Sequence, residues 1–408
     1  MSVPQWVRQY GGPNLRQDLI ATAVVVVMLI PQSLGYAMVA GLPPQVGLYA
    51  SILPAIVYAF LGTSMTISIG PAAVPALMTL AALSAVATVG TTAYLTAAVI
   101  LTCLCGVILL VMAAMRFGFL TQFISHTVIS GFTTASALII AASQIRHLLG
   151  IEGTGLTLPE IALSLWEHAA HINPPTLILA AVTIGFLVAM RRWLATGLTA
   201  VGVPAPLAGL AQRASPLLVV VGSTLLTALL NLGAHGIKVV GDIPAGLPRL
   251  ALPAMDAGLW SALTGSAALI ALLIYVESIS IAQTFAAKRR QRVDPDRELW
   301  ALGAANLASG FSGGCPVAGS FSRSAVNFQA GAQTPAAGVF TAIGISIMAL
   351  YFTQALAYLP IATLAATIIV AVLPIADFAV VRHTWRYSRG DAIAMFATLL
   401  VCLVFGVE

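Results

Sequence analysis

Long apolar runs alternate with short polar stretches along almost the whole chain, and most runs are long enough to cross a membrane as a helix. Turn-forming or charged residues bound each run, so the pattern predicts about thirteen helical segments. The segments are Asp18 to Ala40, Val46 to Leu61, a short helix from Pro71, Ala93 to Met115, Ser125 to Ser143, Pro175 to Trp193, Pro216 to Leu232, Leu259 to Ala287, Glu298 to Phe311, a short helix after Ser320, Pro335 to Tyr358, Ala362 to Ile375 and Asp391 to Val407. A polar connector predicts an interfacial helix at Leu158 to His171.

Glycine and proline interrupt this pattern in two places, at residues 66–75 and 313–327. Each stretch is expected to run extended and then turn into a short helix, because proline lacks an amide donor and glycine admits open backbone angles. In a membrane such a backbone is tolerated only where protein or a water-filled cavity covers it. The start of a short helix directs unpaired N–H groups and a positive dipole end at that cavity, which favours an anion.

The two breaks are spaced as an internal repeat. Pro71 and Pro316 are 245 residues apart (316 − 71), and so are Gln32 and Glu277 (277 − 32), which lie deep in the first and eighth segments. Seven segments, an odd number, place the second repeat upside down relative to the first. This is the inverted-repeat plan of secondary transporters.

Composition excludes a soluble protein. Of the 408 residues 59% are hydrophobic and 8% are charged, and no Asp, Glu, Lys or Arg occurs between Leu19 and Met115. A soluble domain carries about 25% charged residues. The chain is therefore predicted to be an all-α polytopic membrane protein.

Loop charges predict the orientation, since basic residues concentrate in cytoplasmic loops. With a cytoplasmic N-terminus, the basic residues that follow even-numbered segments all lie on the inner side: Arg116, Arg191, Arg192, Arg213, Lys288, Arg289, Arg290, Arg292, Arg382, Arg386 and Arg389. On the other side, Lys238 and Arg249 of the long loop are balanced by Asp242 and Asp256, which leaves only Arg146 against this orientation. The net charge of +5 reflects these loops and does not indicate nucleic acid.

Two charged residues stand alone in apolar surroundings. Glu277 is the only ionisable acid or base between Ala257 and Ala287. Because a charge in the bilayer costs about 2.5–3.5 kcal/mol on insertion scales, we interpret Glu277 as a proton or cation coupling site, with a structural ion pair or hydrogen bond as the alternative. Arg323 is interpreted as attracting the anion or balancing Glu277, with a side chain that reaches the cytoplasmic interface as the alternative.

Polar neighbours complete a candidate anion site. Ser320, Ser322 and the backbone amides after Gly319 are predicted as direct ligands. Gln32 and Tyr36 lie four residues apart on one face of the first segment, where Gln32 can donate to an anion and Tyr36 can line the pocket. Ordinary interhelical hydrogen bonding is the alternative for this pair.

The sequence gives little evidence for an active site, a metal site or a bound cofactor. The chain lacks the HExxH, GxSxG and GxxxxGK[ST] patterns of zinc proteases, serine hydrolases and P-loop NTPases. The cluster of Glu167, His168 and His171 is weak evidence for zinc, since no third strong ligand accompanies the histidines. We predict neither a disulfide nor a zinc site from the four cysteines, no catalytic residue and no cofactor.

Several motifs resemble the signature of the SulP anion transporters, a family that includes sulfate permeases, bacterial bicarbonate transporters, pendrin and prestin. The matching residues are Pro31 to Ala37 (PQSLGYA), Ala40 to Tyr49 (AGLPPQVGLY), Gly62 to Ser64, Ile67 to Pro71, Ile124 to Thr134, Glu277 to Ala282 and Pro316 to Asn327. Together the motifs extend over nearly the whole chain.

The resemblance implies fourteen segments in two inverted repeats of seven, of which about thirteen are present. It implies a cytoplasmic segment at 1–17, a core domain at 18–115 and 259–358, a gate domain at 116–233 and 359–408, and an extracellular or periplasmic linker at 234–258. Relatives usually carry a cytoplasmic STAS domain. We expect the natural protein to continue beyond this chain with a returning helix and such a domain.

The resemblance also implies an anion site between the third and tenth segments. Its ligands would be the amides near Ala72 and Ala73, those of Phe321 and Ser322, and the side chains of Gln32 and Tyr36. Glu277 matches the acidic position linked to proton coupling in sulfate symporters, and Arg323 matches the site arginine. One departure is Ala72, where some relatives have an aromatic residue, so the pocket is expected to accept a larger anion.

The resulting hypothesis is secondary-active transport of a small anion (sulfate, bicarbonate or dicarboxylate), coupled to protons, by an elevator-like movement of the core. Na+ as the coupling ion, uncoupled transport and exchange are variants. A nucleobase permease of the same fold and an anion channel are the alternatives, and a membrane enzyme is less favoured. We expect a multi-pass protein of the cell membrane that contacts lipid, binds no nucleic acid and is compatible with a homodimer.

Overall fold

A computed structural model describes residues 5–8, 10–122, 126–153, 155, 157–213, 215–241, 246–248, 250, 252–376, 385 and 388–406. This part of the chain is mostly helical, with one pair of short strands. Its elements are α1 Gln5–Arg8, α2 Gly12–Val39, α3 Pro44–Tyr49, α4 Leu53–Leu61, β1 Ile69–Pro71, α5 Ala73–Ser84, α6 Thr92–Ala114, α7 His126–Leu149, α8 Leu158–Glu167, α9 Pro174–Ala200, α10 Ala205–Arg213, α11 Ser215–Leu229, α12 Ala257–Lys288, α13 Pro295–Phe311, β2 Val317–Gly319, α14 Phe321–Gln329, α15 Ala336–Tyr351, α16 Thr353–Leu356, α17 Ile361–Val372 and α18 Arg389–Phe405.

The chain forms two compact units, and each is built from two separate stretches of sequence. Unit 1 comprises Met1–Phe123 and Pro244–Phe352, and unit 2 comprises Ile124–Ile243 and Thr353–Glu408. Unit 1 therefore contains α1–α6, α12–α15 and both strands, whereas unit 2 contains α7–α11 and α16–α18. That these units act as core and gate stays a prediction.

Glycines allow the central helices of unit 1 to pack closely. The helices α6 and α13 make the most extensive helix pair of this unit. A Cβ added at Gly106 would lie 2.8 Å from the Leu307 nitrogen, and one at Gly310 would lie 2.4 Å from Cys103 Sγ. Both contacts are impossibly short, so close approach requires glycine at these positions, as in many membrane helix pairs.

In unit 2, α7 packs against α17 and α18, and α17 also packs against α9. A Cβ at Gly131 of α7 would lie 2.6 Å from the carbonyl oxygen of Met395 in α18, so this contact also depends on a glycine. Outside the helices, Val239 and Pro360 form an isolated antiparallel bridge. Lys238 makes an exposed ion pair of 3.1 Å with Glu152.

Five helical stretches of the described residues are long and apolar enough to cross a membrane. They are Gly12–Val39, Pro44–Leu61, Thr92–Ala114, Pro174–Ala200 and Ala257–Lys288. The shorter apolar helices include Ala73–Ser84, Leu218–Leu229, Ala336–Tyr351 and Ile361–Val372.

Most predicted segments are present, but several boundaries were wrong. The second segment is two helices, since α3 ends at Tyr49 and α4 begins at Leu53, where Pro54 suits a first helical turn. The eleventh ends at Tyr351 rather than at Tyr358, with the short α16 after it. The sixth continues to Ala200.

Other differences concern the elements that the apolar pattern did not reveal. The helix α10 was missed, because its sequence is only weakly apolar. The extended piece predicted for Thr66 to Gly70 becomes a strand only at Ile69–Pro71. Predictions that concern Ser125, Arg382 and Arg386 lie outside the described residues.

Candidate functional site

The two breaks meet through a pair of antiparallel strands within unit 1. In β1 and β2, Ile69 pairs with Gly319, Gly70 with Ala318 and Pro71 with Val317. Each strand leads directly into a short helix, so α5 and α14 begin at opposite ends of one small two-stranded sheet. Pro71 ends its strand whereas Pro316 precedes its strand, so by strand position the partner of Pro71 in the repeat is Gly319, not Pro316. Both breaks, predicted from glycine and proline, are confirmed.

The first turns of these two helices lack side-chain caps. The residues before them, Ala72 and Ser320, have extended backbone angles but accept no capping hydrogen bond. By contrast, Thr91, Asn173 and Asp294 cap α6, α9 and α13 with side-chain oxygens. The amides of an uncapped first turn have no intrahelical acceptor, so they can donate to an anion.

Arg323, in the first turn of α14, is completely buried. Its Nη1 donates to the carbonyl oxygen of Pro71 at 2.8 Å, while its Nε and Nη2 have no partner in the part of the chain that the structure describes. A Cβ at Gly70 would lie 3.4 Å from Nη2, so a larger side chain at position 70 would press against the guanidinium. The interpretation of Arg323 as a side chain that reaches the cytoplasmic interface is wrong, because the guanidinium turns toward β1.

Three further groups of α14 and its N-cap bind the segment that leads into β1. Ser324 Oγ accepts from the Ser68 amide at 3.0 Å, and Asn327 Nδ2 donates to the Thr66 carbonyl at 3.0 Å. The Ser320 amide donates to the Ser68 carbonyl at 3.2 Å. One half-helix thus holds the extended backbone of the other repeat by hydrogen bonds from several residues.

Side chains from the spanning helices hold β2. Asn306 of α13 accepts from the Val317 amide and donates to the Val317 carbonyl, both at 3.0 Å. Ser278 of α12 accepts from the Gly319 amide at 2.8 Å. Sequence reasoning missed both residues. The signal for Asn306 was an amide side chain within an apolar segment, and Ser278 stands next to Glu277.

Among the described residues, Gln32 and Glu277 each keep a buried polar atom without a partner, and Tyr36 lies near Glu277 and Arg323. Gln32 is buried and its Oε1 has no partner, and Tyr36 is buried as well. Glu277 is partly buried, with an unpartnered Oε2. It makes no ion pair with Arg323, although Tyr36, Glu277 and Arg323 are close enough to interact electrostatically. Unpaired buried polar atoms are costly, which favours a ligand or ion as the missing partner.

The remaining predicted site residues lie at the two helix starts. Ala72 and Ala73 are buried. The Ser320 and Ser322 hydroxyls lie 3.2 Å apart, and Phe321 is 50% exposed while its ring packs 5.5 Å from that of Phe285. All the residues predicted for the site therefore belong to unit 1.

A strand-paired crossing of two half-helices, with a buried arginine beside it, is characteristic of inverted-repeat membrane transporters. A family model described as the sulfate permease family matches residues 15–398. The chain belongs to this family. It is a multi-pass membrane protein of a transporter family and not an enzyme.

Individual relatives agree with this assignment. The chain is 35% identical over 408 residues to "Sulfate transporter 4.1, chloroplastic" of Arabidopsis thaliana. This match covers 99% of this chain and 58% of the relative. The structure of murine Slc26a9 in the inward-facing state has a TM-score of 0.87 at 25% identity, covering 98% of this chain and 68% of that one. The transmembrane domain of the cyanobacterial bicarbonate transporter BicA has a TM-score of 0.84 at 21% identity, covering 97% and 96%. The predicted family and the inverted-repeat fold are confirmed.

Proposed function

We propose that this chain transports a small anion across the membrane by secondary-active transport. The observation that carries the proposal is the pair of uncapped helix starts joined by β1 and β2, with two nitrogens of the buried Arg323 left without partners. The uncapped amides and positive dipole ends of α5 and α14 flank the small sheet of unit 1, beside which the Arg323 guanidinium also lies, and donors of this kind favour an anion.

Each predicted residue receives a role in this proposal. The amides near Ala72, Ala73, Phe321 and Ser322 bind the anion, assisted by the Ser320 and Ser322 hydroxyls. Gln32 and Tyr36 add polar contacts, and Arg323 supplies the charge. The substrate class is sulfate, bicarbonate or a dicarboxylate. The names of the Arabidopsis relative and of BicA favour the first two.

Proton symport through Glu277 is the proposed mode of coupling. Its carboxyl oxygen Oε2 is buried without a partner, and the charge of Arg323 acts on it. Binding of an anion changes the local charge, and a proton on Glu277 compensates for that change. Na+ coupling, exchange and uncoupled transport are the alternative modes.

The proposed transport cycle is an elevator-like movement of unit 1 as the core, with unit 2 as the gate, in the cell membrane with a cytoplasmic N-terminus. A nucleobase permease is disfavoured, since we expect such a protein to have an acidic residue on the tenth segment, where α14 has Arg323. A channel would differ by unitary currents without proton coupling.

The test is uptake of radiolabelled sulfate, bicarbonate and a dicarboxylate into proteoliposomes at two pH values. In the wild type, uptake of the substrate rises as the external pH falls, because each anion enters with a proton. Glu277→Gln carries no titratable proton at this position, so its uptake is expected to be independent of pH.

Glu152→Gln is the matched control, since it makes the same substitution at an exposed site of unit 2. A wild type that takes up none of the three anions would overturn the transport proposal. A Glu277→Gln variant that keeps the pH dependence of the wild type would overturn the coupling role alone.

A further inference from the structure

Two completely buried carboxylates lie outside the proposed anion site. Asp18 belongs to α2 of the first repeat, and Glu298 belongs to α13 of the second. Neither makes an ion pair with any residue that the structure describes, although Arg289 is close enough to Asp18 to interact electrostatically. A buried carboxylate without a paired cation is costly unless hydrogen bonds satisfy its oxygens. The donors to each carboxylate therefore indicate its role.

Glu298 accepts four hydrogen bonds from the segment before β1. Its Oε1 accepts from the Thr63 amide at 2.7 Å, the Thr63 hydroxyl at 2.6 Å and the Ser64 amide at 3.2 Å. Its Oε2 accepts from the Tyr58 hydroxyl at 2.6 Å. Three of the four bonds are 2.7 Å or shorter, a length typical of strong hydrogen bonds to a carboxylate.

Asp18 accepts a similar set, with three bonds from the segment after α14 and one from Tyr10, which precedes α2. Its Oδ1 accepts from the amides of Gln333 at 2.7 Å and Thr334 at 3.2 Å. Its Oδ2 accepts from the Thr334 hydroxyl at 2.6 Å and the Tyr10 hydroxyl at 3.3 Å. Burial and the charge of Asp18 raise the pKa of Tyr10 to about 12, so this hydroxyl keeps its proton and donates.

The two sets share one pattern: two successive amides, the hydroxyl of a threonine in the same pair, and a tyrosine hydroxyl. All of these bonds except the one from Tyr10 also cross between the repeats. Glu298 of the second repeat holds the chain five residues before β1 begins at Ile69, while Asp18 of the first repeat holds it shortly after α14 ends at Gln329. Each half-helix segment is thus tied to a spanning helix of the opposite repeat.

We propose that Asp18 and Glu298 are positioning residues that keep the two half-helix starts in the arrangement that binds the anion. Strand pairing joins β1 to β2. Glu298 binds the chain that leads into β1, and Asp18 binds the chain that follows α14, so the two carboxylates hold the segment on either side of the paired strands. Backbone amides bind an anion well only when they are held in place, because small displacements weaken each bond. This inference rests on the proposed function, which assigns the anion to these helix starts.

The test uses isosteric variants that remove one donor from each carboxylate. Thr63→Val and Thr334→Val are each expected to raise the KM for the transported anion about tenfold while kcat changes less than about threefold, since misplaced ligands weaken binding. Thr102→Val is the matched control, because Thr102 is also a threonine of unit 1 and is buried, but the hydroxyl bond that the structure describes for it goes to Ala98 of its own helix.

A general loss of stability would lower the melting temperature of all three variants without raising KM. Unchanged KM values in Thr63→Val and Thr334→Val would overturn the positioning role while leaving the transport proposal intact. Glu298→Gln and Asp18→Asn should have larger effects. If these two do not fold, the threonine variants still decide.

A second readout does not depend on transport. Hydrogen exchange in peptides covering residues 67–74 and 317–324 should be faster in Thr63→Val and Thr334→Val than in the wild type and Thr102→Val. If the wild type transports no anion, the proposed function fails, and equal exchange in all four proteins would then also overturn the positioning role.

Discussion

The two half-helix segments have the same architecture but different chemistry. Both consist of a three-residue strand, an uncapped start and a short helix. The first-repeat helix α5 is apolar and buried along most of its length, with Thr79 bonded only to Pro75 within the same helix. The second-repeat helix α14 carries Arg323, Ser324 and Asn327, and all three bind the backbone of the first-repeat segment.

The strands of the two segments are also held differently. Asn306 and Ser278, from spanning helices of its own repeat, bind β2. The segment that leads into β1 is bound by α14 of the other repeat. We infer that the second repeat supplies both the charge and most of the hydrogen bonds that organise the site, while the first repeat supplies a helix start and packing. This asymmetry can be tested by variants on either side.

The largest effect is expected at Arg323. Arg323→Ala removes the guanidinium and its bond to Pro71, so the kcat/KM for anion uptake should fall at least about 100-fold, as for other oriented charge-stabilising donors. Arg323→Lys keeps the charge but lacks the planar guanidinium, so its kcat/KM should lie between those of Arg323→Ala and the wild type. Uptake per folded protein in proteoliposomes measures both.

The comparison variant is Thr79→Val on α5, which should transport close to the wild-type rate because Thr79 makes no bond between the repeats. Equal losses in Arg323→Ala and Thr79→Val would show that the two half-helices contribute alike and would contradict the asymmetry.

A smaller effect, on stability, is expected at Asn306. Asn306→Ala leaves the buried amide and carbonyl of Val317 without partners, which should cost about 3 kcal/mol. Thermal unfolding in detergent measures this loss. Ser278→Ala removes one bond to β2 and should cost about 1 kcal/mol. An Asn306 variant that melts no lower than the Ser278 variant would contradict the proposed support of β2.

The smallest effect is expected at Ala72, on the first-repeat side. Ala72→Phe places a ring at a buried helix start and should shift the uptake ratio of bicarbonate to dicarboxylate about threefold to tenfold toward the smaller anion, as for small changes of pocket size. Competition uptake with both anions measures the ratio. Ala72→Ser adds little volume and should leave the ratio unchanged, and a similar shift in both variants would exclude a steric cause.

The breaks and the residues of the site could be predicted from the sequence because their signals are local. Glycine and proline mark a stretch that cannot continue as a helix, and Glu277 and Arg323 stand out as lone charges in apolar runs. Gln32 and Tyr36 follow from their spacing on one face of the first segment, and the two serines follow from their position in the second break. Their roles in transport stay predictions.

The bonds that hold the site in place could not be predicted in the same way. Asn306 and Ser278 look like ordinary polar residues of a membrane helix, and apart from Tyr10 the partners of Asp18 and Glu298 lie 234 to 316 residues away along the chain. The residues around Asp18 and Glu298 in the sequence do not show whether each carboxylate caps its own helix or binds a distant loop.

The sequence by itself determined the membrane environment, the places where spanning helices break and the presence of a buried positive charge, because hydrophobicity, glycine and proline act on the nearest residues. Tertiary structure decided the register of β1 with β2, the direction of the Arg323 guanidinium and the crossed hydrogen bonds of Asp18 and Glu298. These depend on which distant backbone groups are left without a partner once the helices pack, and buried polar groups are stable only when such partners meet.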